Sequence, residues 1–192
     1  MILASSSPRR IRMIKGYGHD PIIIPPQVDE AVPDGTPPHI AVMFLALKKA
    51  LYAENIAIGK GYTNVGALIA ADTVVVYSSD IIGKPGSPEE AYAILKRLCG
   101  KKHTVFTGVA VLMPGTVYRK VFYETSNVIF KTYTDEDIKT YAETDEPYDK
   151  AGGYAVQGAW GKHIDRVEGD IDNVIGLPWS RVVKELPGYT IS

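Results

Sequence analysis

Ala67-Leu68-Ile69-Ala70-Ala71-Asp72-Thr73-Val74-Val75-Val76-Tyr77 is the stretch whose reading decides the fold. Its first five residues are apolar without alternation, Asp72-Thr73 close that run, and Val74 resumes it. A strand with one wet face alternates polar and apolar residues, so an unbroken apolar run predicts a strand covered on both faces, as in α/β sheets. On its N-terminal side lies a Gly-rich connection (Gly59, Gly61, Gly66), and before that Ile40, Phe44, Leu47 and Leu51 recur at steps of four, three and four. This period predicts a helix from Pro38 to about Glu54, with Lys48 and Lys49 near its apolar boundary.

Further upstream, Met1 to Ala4 reads as a short buried strand, and Ser7-Pro8 supplies an N-cap and an N1 proline for a helix ending near Gly16. Pro21 to Pro26 reads as a second strand closed by prolines, followed by a loop from Gln27 to Pro38. Downstream, Ser78-Ser79-Asp80 turns the chain into Ile81 to Pro85, and Ser87, Pro88 and Glu90 predict a capping box for a helix to Gly100. Two strand-like segments, His103 to Met113 and Val117 to Phe130, flank Pro114-Gly115-Thr116 as a long hairpin. Thr134 caps a helix to about Glu143, a polar loop runs from Asp145 to Gly161, Ile164 to Val167 is a further strand, Glu168 to Asn173 a loop, and Pro178 to Leu186 a last helix. With no internal repeat or linker, the expectation is a single α/β domain over 1–192 with an antiparallel element.

The composition narrows the function. With 21 Lys+Arg against 22 Asp+Glu the net charge is −1, and 45% of the 192 residues are hydrophobic. A chain of this size buries roughly 70% of its unfolded surface. The balanced charge and a pI near 6.4 give no basic field for a nucleic-acid polymer, whose phosphates demand clustered Lys and Arg. A single cysteine, Cys99, excludes a disulfide framework and paired-thiolate metal sites and fits a reducing, cytoplasmic setting. Arg9, Arg10 and Arg12 follow the apolar start, the reverse of a signal peptide, and no apolar run reaches the ~20 residues needed to span a bilayer. A soluble protein without a membrane partner is expected.

Asp72 closes an apolar strand, where a carboxylate is costly unless it binds a metal, pairs with a cation, does acid–base work, or caps a local turn. Ser5, Ser7, Arg9 and Arg10 lie where a strand hands over to a helix, so hydroxyls, free N–H groups and guanidinium forks can converge on phosphate; an ordinary N-cap with solvated arginines is the plainer reading. Lys84, between Gly83 and Pro85, reads either as a phosphate contact or as a solvated charge. The segment Asp145 to Gly158 combines charges, aromatics and three glycines, which suits close backbone approach to a ligand, and the amide of Gln157 both donates and accepts, as base recognition requires. His19, His39, His103 and His163 have no metal-binding spacing and read as structural; there is no Walker P-loop and no nucleophile elbow. Glu30, Asp72, Asp149 and Asp170 or Asp172 offer oxygen ligands, and Arg9, Arg10, Lys49 and Lys84 offer phosphate donors. Hard carboxylates with phosphate oxygens favour Mg²⁺ or Mn²⁺.

Taken together, these motifs resemble the Maf family of nucleoside triphosphate pyrophosphatases. The resemblance is carried by Leu3-Ala4-Ser5-Ser6-Ser7-Pro8-Arg9-Arg10, Lys49-Ala50, Ala71-Asp72-Thr73-Val74-Val75, Gly83-Lys84-Pro85, Thr107-Gly108-Val109, Glu146-Pro147, Asp149-Lys150-Ala151-Gly152-Gly153-Tyr154, Gln157-Gly158 and Asn173-Val174 with Gly176-Leu177-Pro178. It implies an α/β fold with a twisted mixed sheet flanked by helices, two lobes around a nucleotide cleft, similar to inosine triphosphate pyrophosphatases. It also implies metal-dependent cleavage of a nucleoside triphosphate to monophosphate and pyrophosphate by an activated water, in nucleotide-pool sanitation.

Carried onto this chain, the family pattern makes Asp72 the general base or metal-linked acid, Glu30 a metal carboxylate with Asp29 as the one-residue alternative, and Ser5, Arg9, Arg10, Lys49 and Lys84 the phosphate contacts. Thr73 with Gln157, and Arg9 as a third position, look like the branch that acts on dTTP and UTP. The resemblance further suggests a homodimer. The chain departs from the family pattern at the Gly59 to Gly66 connection and at Gly153, where members often carry Ala. Two other functions stay open here: the same reaction on modified or purine triphosphates, and a low-turnover nucleotide-binding regulator of cell division.

Overall fold

The computed structural model describes residues 1–187. In chain order its elements are β1 (Ile2–Ala4), α1 (Pro8–Gly16), β2 (Ile22–Ile23), α2 (Pro38–Gly59), β3 (Leu68–Tyr77), β4 (Asp80–Ile82), α3 (Pro88–Leu98), β5 (Lys102–Leu112), β6 (Arg119–Phe130), α4 (Asp135–Ala142), three short 3₁₀ turns (Glu146–Asp149, Ala151–Gly153, Ala159–His163), β7 (Ile164–Glu168), α5 (Ile171–Ile175) and α6 (Trp179–Lys184). The seven strands form one sheet in the order β2-β1-β3-β5-β6-β7, with β4 paired to β3. β1 runs parallel to both β2 and β3, whereas β3/β4 and β6/β7 are antiparallel, so the sheet is mixed. This is the α/β architecture expected.

The chain divides into two compact units. The first holds Met1–Asp72, Thr107–Glu124 and the chain from Gly176; the second holds Thr73–Phe106 and Thr125–Ile175.

Within the first unit, strand periodicity explains the unbroken apolar runs. Successive strand residues face opposite sides. Ile2 and Ala4 of β1, with Leu68 and Ala70 of β3 and Ala110 and Leu112 of β5, pack on Ala46, Ala50, Ala53 and Ala57 of α2. The alternate residues Leu3, Ile69, Ala71, Val109 and Val111 pack on Ile14 of α1 and on Leu177, Trp179 and Val182. Small residues let α2 lie close on the sheet. At Gly108 of β5 a Cβ would sit 2.3 Å from the Val42 carbonyl carbon and oxygen, a separation only glycine allows. Glu54, 5% exposed on α2, accepts both of its ionic hydrogen bonds from Arg119 Nη2 of β6, at 2.9 and 2.8 Å.

The second unit has its own core, in which Val75, Leu95, Leu98, Val105, Val128, Phe130, Ile138 and Tyr154 meet Tyr141 and Trp160. Its helix starts are as the sequence reads at two places. Thr134 and Asp137 exchange side chain-to-backbone bonds as a full capping box on α4, and Ser87 accepts from Glu90 N on α3. The carboxylate of Glu90, however, accepts from Gly86 N at 2.7 Å instead of returning to Ser87, so the box expected at α3 is only half formed.

Other expectations change in detail. β3 passes through Asp72 without a break, so that carboxylate lies inside a ten-residue strand and not at its end. β2 is limited to Ile22–Ile23, since the prolines beside it lack ladder donors. α2 continues five residues past Glu54 to Gly59, and its faces are reversed: Ala41, Val42, Leu45, Ala46, Ala50, Ala53 and Ala57 are buried, while Ile40, Phe44 and Leu51 are exposed. The hairpin strands are β5 and β6, with Thr116 N bonded to Met113 O at 3.0 Å in their connection. The segment read as a loop after Glu168 contains α5, and the last helix is shorter than expected.

Candidate active site

The first unit gathers six of the predicted residues where the parallel pairing of β1 with β3 stops, beyond Ala4 and Ala70, although β3 itself runs on past Asp72. β1 and β3 pair Ile2 with Leu68 and Ala4 with Ala70, so Ser5 follows the end of β1 while Asp72 stands two residues beyond the paired Ala70. Asp72 shares the strand face of Leu68 and Ala70, which α2 covers, and Lys49 is on the buried face of α2. Cation and carboxylate therefore meet. Lys49 Nζ lies 2.6 Å from Asp72 Oδ1 and 2.8 Å from Glu30 Oε1. The Lys49 and Asp72 side chains are 9% and 10% exposed, against 55% for Glu30.

Two adjacent lysines of α2 also fix the loop that carries Glu30. Lys48 Nζ donates to the Asp29 carbonyl at 2.5 Å, as Lys49 takes the Glu30 carboxylate. The side chain of Asp29 turns back to accept from Ala31 N at 3.0 Å. Of the two acidic neighbours, Glu30 is thus the one that shares a cation with Asp72.

At the start of α1, Ser5 is 3% exposed and its Oγ accepts from Ser7 N at 3.1 Å, which leaves its proton available as a donor. Ser7 caps the helix by position but makes no side-chain cap bond, and no acidic residue occupies the first turn. Arg9 and Arg10 stand there instead. Two cations beside the positive end of a helix dipole are of the wrong sign for a helix alone and of the right sign for holding an anion. Arg10 Nε donates to the Gly176 carbonyl at 2.7 Å. Burial lowers the Arg10 pKa to about 10, against the pull of Asp72 and Glu30, which favours its charge; near neutrality it remains a cation.

Thr73, Lys84 and Gln157 belong to the second unit. Thr73 is half-buried on β3, and Lys84 and Gln157 are exposed. The Lys84 loop is tied to the Gly-rich segment: Gly152 N donates to the Gly83 carbonyl at 3.0 Å, and Gly152 has φ +73°, with room for a Cβ denied by Val75 at 2.9 Å. Asp149 pairs with Lys150, and Asp170 Oδ1 accepts from Asp172 N at 2.9 Å, so the structure uses these carboxylates within the second unit. His103 is a core residue bonded through Nε2 to Tyr154 Oη at 2.7 Å. Among the described residues no group of three or more His, Cys, Asp or Glu is disposed to hold a metal ion. Sequence reasoning missed the Gly176 carbonyl, whose motif with Leu177-Pro178 had no assigned contact, and Glu146, whose carboxylate bonds Ala159 N.

A parallel strand pair beside a lysine-bridged carboxylate pair and a cationic helix start defines an α/β protein suited to a small polyanion. The family profile described as Maf-like protein matches residues 1–188, and the chain belongs to the Maf family. It is similar to a protein of Caldicellulosiruptor saccharolyticus named dTTP/UTP pyrophosphatase, 43% identical over 179 residues, 93% of this chain and 88% of that one. Proteins of the same name from Geobacillus sp. (strain WCH70) and Bacillus cereus (strain AH820) are 42% and 40% identical, over 97% and 100% of this chain and 96% of each relative.

Proposed function

We propose that this protein hydrolyses nucleoside triphosphates, dTTP and UTP before others, to the monophosphate and pyrophosphate. The relatives' shared name supports the reaction and the bases. The observation that carries the reading in this chain is Lys49 clasped by Asp72 of β3 and Glu30 of the preceding loop, beside Arg10.

Ser5, Arg9 and Arg10 present donors for phosphate oxygens, and Arg10 is held to its place by the Gly176 carbonyl. Asp72 engages Lys49 through Oδ1, which leaves Oδ2 to accept a proton from the water that attacks the α-phosphorus and breaks the α–β anhydride bond. Lys49 keeps that carboxylate oriented and offers its charge to the phosphates. Lys84 is assigned to phosphate, and Thr73 and Gln157 to the base, by the family pattern.

The donor set fits Mg²⁺ or Mn²⁺, since such ions are commonly held by one or two carboxylates with substrate phosphates supplying the rest. Glu30 would hold it, joined by Asp72 Oδ2 in the alternative in which Asp72 is the metal-linked acid instead of the base. A bound divalent ion would neutralise phosphate charge and make the phosphorus more electrophilic. The reading includes a cytoplasmic location, where nucleotide pools are, and the homodimer that the family suggests.

The test is pyrophosphate release from each common nucleoside triphosphate, with and without Mg²⁺ or Mn²⁺. kcat/KM for UTP and dTTP is expected at least about tenfold above CTP and GTP. Comparable values for UTP and CTP would overturn the base assignment, and absence of pyrophosphate release from every substrate would overturn the reaction.

A further inference from the structure

We infer that Glu146 is a positioning residue for base choice, holding the backbone on which Gln157 stands. The inference rests on the proposed function, because it takes Gln157 as the base-reading amide. Gln157 is exposed at the tip of a tight segment in which Gly158 N donates to Ala155 O at 3.3 Å and Gly161 N to Gly158 O at 3.0 Å. An amide discriminates between base edges only if its orientation is fixed, and a long exposed side chain has no such fixity unless its backbone is held. Glu146 supplies the hold. One oxygen, Oε2, accepts from Ala159 N at 3.1 Å, and the other, Oε1, accepts from Tyr141 Oη at 3.1 Å.

A side chain at 158 would displace the clamp. A Cβ on Gly158 would fall 1.7 Å from Glu146 Oε1, so the carboxylate occupies the space that any other residue after Gln157 would fill. Glu146 is itself anchored at both ends. Tyr141 is 5% exposed in the core of the second unit, and the Glu146 carbonyl accepts from Lys150 Nζ at 2.5 Å. Rigidity thus passes from α4 through Tyr141 and Glu146 to the two residues following Gln157. Both carboxylate bonds are accepted ones, so they need an acceptor pair and not a negative charge for its own sake. A glutamine at 146 can accept from Ala159 N while its amide N–H faces the tyrosine hydroxyl oxygen; an alanine can do neither.

The experiment compares Glu146→Ala and Glu146→Gln with the parent in steady-state kinetics on UTP and CTP, and in hydrogen exchange of the amides of 155–161. Glu146→Ala is expected to raise KM for UTP about tenfold while kcat changes little, to narrow the UTP-to-CTP preference by a similar factor, and to speed exchange at Ala159 about tenfold. Glu146→Gln is expected to stay within about threefold of the parent in each readout. An unchanged UTP-to-CTP ratio in Glu146→Ala would overturn the inference. So would a Glu146→Gln variant as impaired as Glu146→Ala, since the negative charge would then matter in itself. A parent that releases no pyrophosphate from UTP would overturn the functional reading beneath it; exchange at Ala159 reads the clamp separately and tells that failure from this one.

Discussion

Replacing Lys49 by Met keeps the length and apolar stem of the side chain and removes the ammonium that two carboxylates share. Glu30, 55% exposed, can turn to water, so its bond to Lys49 contributes only about 0–1 kcal/mol. Asp72 cannot: it is 10% exposed, 2.6 Å from Nζ, and set in an apolar strand. Removing one member of a buried pair costs about 3–5 kcal/mol, and Arg10, which Asp72 also attracts, draws the loss here toward the lower figure. At about 2–4 °C per kcal/mol for a chain of this length, Lys49→Met should lower Tm by about 6–20 °C. The double variant Lys49→Met/Asp72→Asn no longer buries the Asp72 charge without its nearest counter-ion, so it should recover at least about half of that loss, as a thermodynamic cycle would show. Thermal melts followed by circular dichroism, with urea titrations to convert Tm into free energy, measure both steps. A Lys49→Met protein melting within about 2 °C of the parent, or no relief from Asp72→Asn, would refute the view that these two groups are paired in the folded chain. Both variants should also lose turnover, because each removes part of the proposed machinery.

Three further outcomes are expected. Arg10→Ala should weaken binding of a non-hydrolysable UTP analogue about ten- to hundredfold and binding of UMP by less, measured by calorimetry; equal losses would place Arg10 away from the outer phosphates. Burial lowers the His103 pKa from 6.5 to about 4, so the unfolded chain binds the proton more readily between those values; stability should be full above pH 6.5 and fall by up to about 3 kcal/mol on approaching pH 4, and His103→Gln should flatten that slope in urea titrations. Gly108→Ala should destabilise by about 3 kcal/mol or more, since its methyl would meet the Val42 backbone at 2.3 Å and backbone cannot turn aside; a parent-like melt would refute the close approach.

The residues of β3 and of α4 announce themselves because one local cause dominates each: burial on both faces for the strand, and the Thr134–Asp137 exchange for the helix. α2 is different. It is apolar nearly all round, so Ile40, Phe44, Leu47 and Leu51 mark a helical period correctly, but of the four only Leu47 packs against the core and the other three are exposed. What decides the face is the close approach of the Val42 backbone to Gly108 of β5, with the α2 alanines packed on the sheet beside it, and that contact is far away in sequence. The same holds for Asp72. Its charge suggests an end to the strand, but a lysine from α2 meets it there and lets the strand run on to Tyr77. Of the candidate residues, those at the start of α1 read from their order alone as an ordinary cap and take a phosphate role only through the family pattern, while Glu146 is marked by the space left at Gly158.

The glycine at 108 has a consequence for how this protein can change. Where side chains mediate packing, a substitution can be absorbed by a neighbour rotating; where one backbone rests on another, nothing adjusts. Lys49 is seven residues along α2 from Val42, about two helical turns, so the place of its ammonium is inherited from a contact with no adjustable parts. Directed variation around Gly108 and the α2 alanines would displace the chemistry before altering preference. A library seeking new nucleotide preferences should spare that seam, and Gly158 with it, and spend its diversity on the exposed side chain of Gln157 itself.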